Sequence, residues 1–119
     1  MLPKQWDYPH IWAPIEYLTI IGLMHYGFVD DAVRIMKKSI KANINIFKKN
    51  GALFEKIDAI TGEKPASFWY PSQIGFGWTN AIFYRYVKIL KFIEKKQGDI
   101  YNGQTETNEP PYNLTGIIH

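Results

Sequence analysis

Three stretches of this sequence carry apolar residues at steps of three and four, and this spacing constrains the fold more than any other feature. Such a period places the apolar side chains on one face of an α-helix, with the lysines mostly on the other face. The spacing therefore predicts an all-α fold. We predict helices from Pro14 to Gly27, from Asp30 to Asn50 and, capped by Thr79 or Asn80, up to about Lys96.

A very short connection joins the first two predicted helices. Gly27 suits the left-handed residue that ends many helices, and Asp30 and Asp31 place carboxylates where unpaired N–H groups and the helix dipole favour them. A link of about three residues between Gly27 and Asp31 leaves room only for antiparallel neighbours. The sequence therefore predicts an αα-hairpin.

The segments between the helices are rich in aromatic residues, which make up 16% of the chain, and in proline and glycine. Residues 4–14 and 52–78 have no helical or strand period, so both are predicted to be ordered loops. Long loops of this kind disproportionately carry function. The tail from Gly98 is polar and contains two adjacent prolines, so we predict one domain over residues 1–97 and a loosely ordered tail over 98–119.

Composition excludes several classes of protein. A chain of 119 residues is too short for a two-domain enzyme, and without cysteine it has no disulfide framework or thiolate ligands. It lacks the run of about 18 apolar residues that spans a membrane. A net charge of +3 is too small to indicate nucleic acid, and the three histidines lack the spacing of metal ligands. We expect a soluble protein without a metal or other cofactor, whose cellular compartment the sequence leaves open.

Three sequence blocks carry a resemblance to a known family. Residues 5–14 read Gln-Trp-Asp-Tyr-Pro-His-Ile-Trp-Ala-Pro, which resembles the second signature of the trehalases at every fixed position. Residues 55–58 resemble its Glu-Lys-Tyr-Asp segment, and residues 73–80 resemble its Gln-x-Gly-Phe-Gly-Trp-Thr-Asn block. The order and approximate spacing of the blocks also match, over residues 5 to about 90.

This resemblance implies a fold and an activity. Trehalases are inverting glycoside hydrolases built as an (α/α)6 toroid, a double ring of six helical hairpins, and these blocks lie near the C-terminal end of the family's chains. The chain is therefore expected to form the C-terminal helical hairpins of an incomplete barrel. Its partners would be the missing N-terminal part of the toroid and trehalose or a related glucoside. Helices taken from such a toroid are expected to expose apolar side chains that normally meet neighbouring helices.

Glu55 occupies the position that the resemblance assigns to the general base. Hydrolysis with inversion needs one carboxylic acid for the leaving oxygen and one carboxylate for the attacking water, roughly 6.5–9.5 Å apart. The neighbouring cation of Lys56 would help to keep Glu55 ionised. The family's general acid and its sugar-binding arginines lie upstream and have no counterpart here. The competing interpretation is that Glu55 is an exposed loop carboxylate.

Five residues are candidates for contact with the sugar. Tryptophan combines a flat apolar face with a polar N–H edge, which suits a pyranose ring, and amide or carboxylate groups can bond to its hydroxyls. Trp12 and Phe76 have a competing interpretation as packing residues, and Trp78 is interpreted as packing rather than sugar contact. The candidate substrate-binding residues are Gln5, Trp6, Asp7, Trp12 and Phe76.

One departure from the family pattern concerns substrate identity. Trehalases carry a glutamate immediately before the tyrosine that matches Tyr70, whereas this chain has Trp69 there. Glu63 is a possible replacement from another backbone position. A related α-glucosidase on the same toroid is therefore the natural rival to trehalase, and a non-catalytic helical binding module is the alternative of a different class.

Overall fold

Three helices and a two-stranded antiparallel ribbon form the described part of the chain, which comprises residues 4–66, 71–74 and 76–101 of a computed structural model. The predominance of helix confirms the predicted all-α class. In that part of the chain no helix is both long and apolar enough to cross a membrane. The elements in chain order are β1 (His10–Trp12), α1 (Ala13–His25), α2 (Val29–Asn50), β2 (Lys56–Asp58) and α3 (Gly77–Tyr101).

The turn between α1 and α2 is closed at Gly27, as predicted. Gly27 has φ of 84°, a left-handed conformation that costs a residue without Cβ little. Its N–H donates to the carbonyl of Met24 at 3.2 Å, and the N–H of Phe28 donates to that of Leu23 at 2.9 Å. These two bonds form a Schellman motif, which satisfies two terminal carbonyls of α1. The next helix begins directly afterwards at Val29.

The start of α2 differs from the prediction in detail. Asp30 and Asp31 lie inside its first turn, whereas the capping position is Phe28, which makes no side-chain capping bond. Asp31 instead pairs with Arg34 at 3.0 Å, while the first-turn carboxylates still suit the helix dipole. The other end is as predicted, because Gly51 is left-handed with φ of 71°.

The start of α3 was predicted wrongly. Thr79 and Asn80 do not cap it, because the helix already begins at Gly77. Thr79 is buried in the first turn. The helix also continues through Gly98 to Tyr101, so the first residues of the predicted tail are helical, and the remaining tail lies outside the described residues. The division into a domain and a tail stays a prediction.

The core lies where the three helices meet. Its members come from every helix, so each helix contributes one apolar face to a shared interior. Burial of such side chains supplies most of the stability of a small helical unit. The buried core residues are Ile20, Met24, Val29, Ala32, Met36, Tyr86, Ile89 and Ile93.

The faces of the helices away from this core carry exposed apolar side chains. Leu18 on α1 is 67% exposed, and α2 and α3 show the same feature. Isolated exposed apolar residues are common, but two large ones on each of the three helices indicate surfaces that another element could cover. The large apolar residues exposed on the helices are Ile15, Leu18, Ile44, Phe47, Tyr84 and Phe92.

The ribbon connects the two segments that were predicted to be loops. In its antiparallel register Trp12 faces Lys56, Ile11 faces Ile57 and His10 faces Asp58. An isolated bridge between Phe54 and Ile74 extends the pairing on the other side of residue 55. Strands of three residues are too short for an alternating pattern to be recognised, so the sequence did not predict them.

Candidate active site

The ribbon brings the first sequence block next to the second. Because Trp12 pairs with Lys56, the end of the Gln-Trp-Asp loop lies beside the residue that follows Glu55. Because Phe54 pairs with Ile74, the third block lies beside the residue that precedes it. Glu55 therefore stands where all three blocks meet.

The carboxylate of Glu55 is buried, with 3% of the residue exposed. This overturns the interpretation as an exposed loop carboxylate. Its Oε1 forms no hydrogen bond and lies 3.8 Å from Nζ of Lys56, a residue that is also buried. A buried carboxylate oxygen without a hydrogen bond is costly, and a catalytic role is one physical reason for such a group. The adjacent ammonium offsets part of that cost.

The backbone of Glu55 is held at both of its polar groups. Its N–H donates to the carbonyl of Gln73 at 3.1 Å. Its carbonyl accepts a hydrogen bond from the indole Nε1 of Trp78 at 3.2 Å. The third sequence block thus supports Glu55 directly, and neither partner was predicted to do so.

A cluster of aromatic rings lies beside the ion pair. The rings of Trp6 and Trp12 stack with centroids 4.1 Å apart and an interplanar angle of 20°. The edge of Trp78 meets Trp12 at 5.6 Å and 81°, and Phe76 packs on Trp78 at 4.6 Å. The ammonium of Lys56 lies 5.2 Å from the centre of the Trp12 ring, within the range of a cation–π contact. Three predicted site residues, Trp6, Trp12 and Phe76, therefore belong to one cluster with Glu55.

The two tryptophans of the first block differ in exposure. Trp12 is 4% exposed and donates its indole N–H to the carbonyl of Gln5 at 3.0 Å, which is a packing role. Trp6 is 60% exposed and covers Trp12 from outside. Of this pair, Trp6 is the one that presents a ring face to a ligand.

Gln5 and Asp7 lie exposed in the same loop. Besides the bond from Trp12, the carbonyl of Gln5 lies 3.3 Å from Nδ1 of His10, so its backbone ties the loop to β1. The carboxylate of Asp7 accepts from the backbone N–H of Lys4 at 2.9 Å and closes a local turn. Their contact with a sugar stays a prediction.

The contacts of two neighbours of Glu55, Lys56 and Trp78, were predicted only in part from the sequence. Lys56 was expected to influence Glu55, but a lysine gives no signal from sequence that it is buried in an aromatic cluster. Trp78 was assigned to packing. Its position as the first aromatic residue after two glycines was the available signal, because such punctuation often marks a close approach of the backbone.

The acidic residues after Glu55 have structural partners. The carboxylate of Asp58 accepts from the N–H groups of Ile60 and Thr61 at 2.8 and 3.0 Å. Burial would raise the pKa of Asp58, but these backbone bonds outweigh it and hold the pKa below its usual value. Glu63 pairs with Lys49 near the end of α2, so its carboxylate is engaged there. The position of Trp69 lies outside the described residues.

A half-buried carboxyl group lies among the helices, at Glu16. It borders a cavity of about 410 Å³ between the ribbon, α1 and α2, which also contacts Ser39. Burial raises the pKa of Glu16, and hydrogen bonding from Ser39 and Tyr86 offsets this only partly. The contact with Tyr86 departs from ordinary hydrogen-bond geometry, since that hydroxyl has no partner of ordinary length and angle. In turn, burial and the charge of Glu16 raise the pKa of Tyr86.

Replacement of Glu16 by Gln is expected to stabilise the chain at neutral pH. The folded state raises the pKa of Glu16 above the value of 4.5 that an unfolded chain would show. The contribution of Glu16 to the free energy of unfolding is therefore complete below about pH 4.5 and is lost as the pH rises through the folded pKa. Urea unfolding across the pH range checks this. The free energy of unfolding of Glu16→Gln should increase relative to that of the wild type as the pH rises. A difference that does not change with pH would contradict the raised pKa of Glu16.

No group of three histidine, aspartate or glutamate side chains within the described ranges could hold a metal ion. Glu55 offers the chemistry of a carboxylate beside an ammonium group, next to an aromatic cluster. Such a carboxylate can accept a proton from water.

Comparison with known proteins decides the family. The sequence model of the trehalases matches residues 2–93, which is most of the chain. The chain belongs to the trehalase family. A probable trehalase from Oryza sativa subsp. japonica is 33% identical over 96 residues, which cover 77% of this chain and 16% of the relative. A trehalase from Tenebrio molitor is 32% identical over the same shares.

A human trehalase is 34% identical over 83 residues, or 66% of this chain and 14% of that protein. The chain thus spans less than a fifth of the length of these curated relatives. The matches agree with its expected identity as a C-terminal segment of a trehalase-family glycoside hydrolase.

Proposed function

We propose that this trehalase-family chain supplies the general base of an inverting hydrolase that cleaves the α,α-1,1 bond of trehalose into two glucose molecules. The observation that carries the proposal is the buried Oε1 of Glu55, which has no hydrogen-bond partner and lies 3.8 Å from the Lys56 ammonium. The neighbouring ammonium offsets part of the cost of burying the carboxylate, and an oxygen without a hydrogen bond can accept a proton.

In this mechanism Glu55 takes a proton from a water molecule as that water attacks the anomeric carbon. The bond between that carbon and the bridging oxygen breaks, and an aspartic acid from the upstream part of the toroid protonates the leaving oxygen. Attack from the face opposite the leaving group inverts the configuration. Trp6 offers an exposed indole face to a pyranose ring, with Gln5 and Asp7 in the same loop as hydrogen-bonding groups.

We propose the upstream helices of the (α/α)6 toroid as the protein partner. The apolar residues exposed on all three helices support this, because helices of a closed toroid have neighbours on both sides. Only with those helices would the site contain both carboxyl groups.

A chimera tests the proposed function. The segment of the Tenebrio molitor trehalase that matches this chain is replaced by residues 2–97 of the chain, and products from trehalose are followed by proton NMR. Inversion releases one α-glucose and one β-glucose per trehalose before mutarotation. A folded chimera that cleaves neither trehalose nor other glucosides would contradict the proposal.

The 119-residue chain alone is expected to be at least about 100-fold less active than this chimera, because acid and base catalysis each contribute roughly 10²–10⁴-fold. The measurement is glucose release at equal protein concentration. Comparable rates for the chain and the chimera would show that no upstream acid is required.

A related α-glucosidase is the second candidate. The observation in its favour is Trp69, which stands where the family carries a glutamate. A site that lacks a polar group binds less well the substrate that would bond to that group. The preferred glucoside would then differ from trehalose. A panel of α-linked glucose disaccharides on the chimera distinguishes the two, and the exchange Trp69→Glu should shift preference towards trehalose if this position sets specificity.

A further inference from the structure

We infer that Trp78 is a positioning residue that holds the backbone of Glu55 through its indole N–H, an inference that rests on the function proposed above. The three described features that carry it are the pairing of the backbone around Glu55, the hydrogen bond from Trp78 and the packing that fixes the indole ring.

The backbone pairing changes partner at Glu55. The residue before it, Phe54, bridges to Ile74, whereas the residue after it, Lys56, pairs with Trp12 in the ribbon. The N–H of Glu55 still finds a backbone acceptor, the carbonyl of Gln73. Its carbonyl receives a side-chain donor instead, the indole of Trp78 at 3.2 Å. Trp78 therefore completes the hydrogen bonding at the one residue where the pairing passes from one partner to the other.

The indole of Trp78 is itself held in place. It lies in the first turn of α3, and its ring contacts Trp12 at 5.6 Å and Phe76 at 4.6 Å. Tryptophan has a single N–H donor, so this orientation commits that donor to Glu55. Trp12 also contacts the Lys56 ammonium. The packing of Trp78 on Trp12 therefore joins the ring that bonds to Glu55 to the ring that contacts Lys56.

Removal of the indole N–H would leave the backbone carbonyl of the buried Glu55 without this donor. An unpaired buried carbonyl is costly, so the backbone is expected to move towards water or another donor. A shift of about 1 Å in a catalytic group can lower a rate on the order of 100-fold. The effect should fall on the chemical step more than on sugar binding, because Trp78 reaches the base through the backbone.

Trp78→Phe in the chimera tests the catalytic consequence, since Phe keeps an aromatic ring and lacks the donor. We expect kcat to fall about 10- to 100-fold with KM little changed. Tyr26→Phe is the matched control, because Tyr26 is an exposed aromatic residue at the end of α1. Wild-type kcat in Trp78→Phe, or a rise in KM with kcat unchanged, would overturn the inference.

Indole hydrogen exchange tests the contact in the chain itself, where activity is not needed. When the chain is labelled with ¹⁵N-tryptophan, the indole N–H signal that disappears in Trp78→Phe belongs to Trp78. This N–H should exchange with solvent much more slowly than the indole N–H of Trp6, which is exposed. Equally fast exchange of the two would also overturn the inference. Failure of the proposed function looks different: Glu55→Gln would then remain active, whatever the exchange rate of Trp78. An inactive Glu55→Gln beside a normal Trp78→Phe rejects the positioning role alone.

Discussion

Replacement of Glu55 by Gln in the chimera is expected to lower kcat on trehalose by about 10²–10⁴-fold. Gln has nearly the same size and shape, so it fits the buried position, but its amide cannot take a proton from water. The attacking water would then lose its base while the acid and the sugar contacts remain. KM should change far less than kcat, because the change removes a transition-state interaction.

Glu63→Gln is the matched control for this experiment. It makes the same chemical change in the same segment, at a carboxylate that pairs with Lys49 near the end of α2. Its kcat should stay near the wild-type value. Near-normal turnover in Glu55→Gln would remove Glu55 from the mechanism, and a large loss in Glu63→Gln would favour the sequence-based alternative that Glu63 serves the pocket. Thermal unfolding of both variants separates lost chemistry from lost folding, since Glu55→Gln also removes the buried negative charge beside Lys56.

Replacement of Ile20 by Ala is expected to have the largest effect on stability. Ile20 is fully buried, with 0% exposed, where α1 meets the other two helices. Truncation of such a residue removes buried apolar surface and leaves a cavity, which typically costs about 2–5 kcal/mol. Small domains have a free energy of unfolding of only about 5–15 kcal/mol, so the loss would be a large part of the total.

Leu18→Ala on the same helix provides the comparison. Leu18 is 67% exposed, so its truncation should change the free energy of unfolding by no more than about 0.5 kcal/mol in the chain alone. Urea unfolding followed by circular dichroism measures both variants. Equal losses would contradict the core described here. In the chimera, a larger effect of Leu18→Ala would show that the upstream helices cover this position.

Helices were predictable because their signals are local. The three- and four-residue spacing of apolar residues indicated all three, and glycines at 27 and 51 indicated two of their ends. The start of α3 was not predictable by the same reasoning. Thr79 resembles a capping residue, yet the helix begins two residues earlier, where Trp78 bonds to Glu55 across the fold. A tertiary contact of this kind outweighs a local capping preference.

The candidate site divides in the same way. The sequence motifs indicated a candidate general base and the tryptophan-rich loop by their resemblance to the trehalases, and they left open whether Trp12 packs or binds sugar. They gave no indication that Glu55 is buried, that Trp6 covers Trp12, or that the third block supports Glu55 through Gln73 and Trp78. Each of these properties depends on residues far apart in the chain.

By itself, the sequence determined the helical class, the αα-hairpin and the identity of the candidate base, because periodicity, turn glycines and short motifs act over a few neighbouring residues. Only the tertiary structure decided the pairing of β1 with β2, the buried contact of Glu55 with Lys56 and the support of Glu55 by Trp78. The physical reason is range. Strand pairing, burial and side-chain hydrogen bonds between distant segments arise only when the whole chain packs, and a local sequence pattern does not record them.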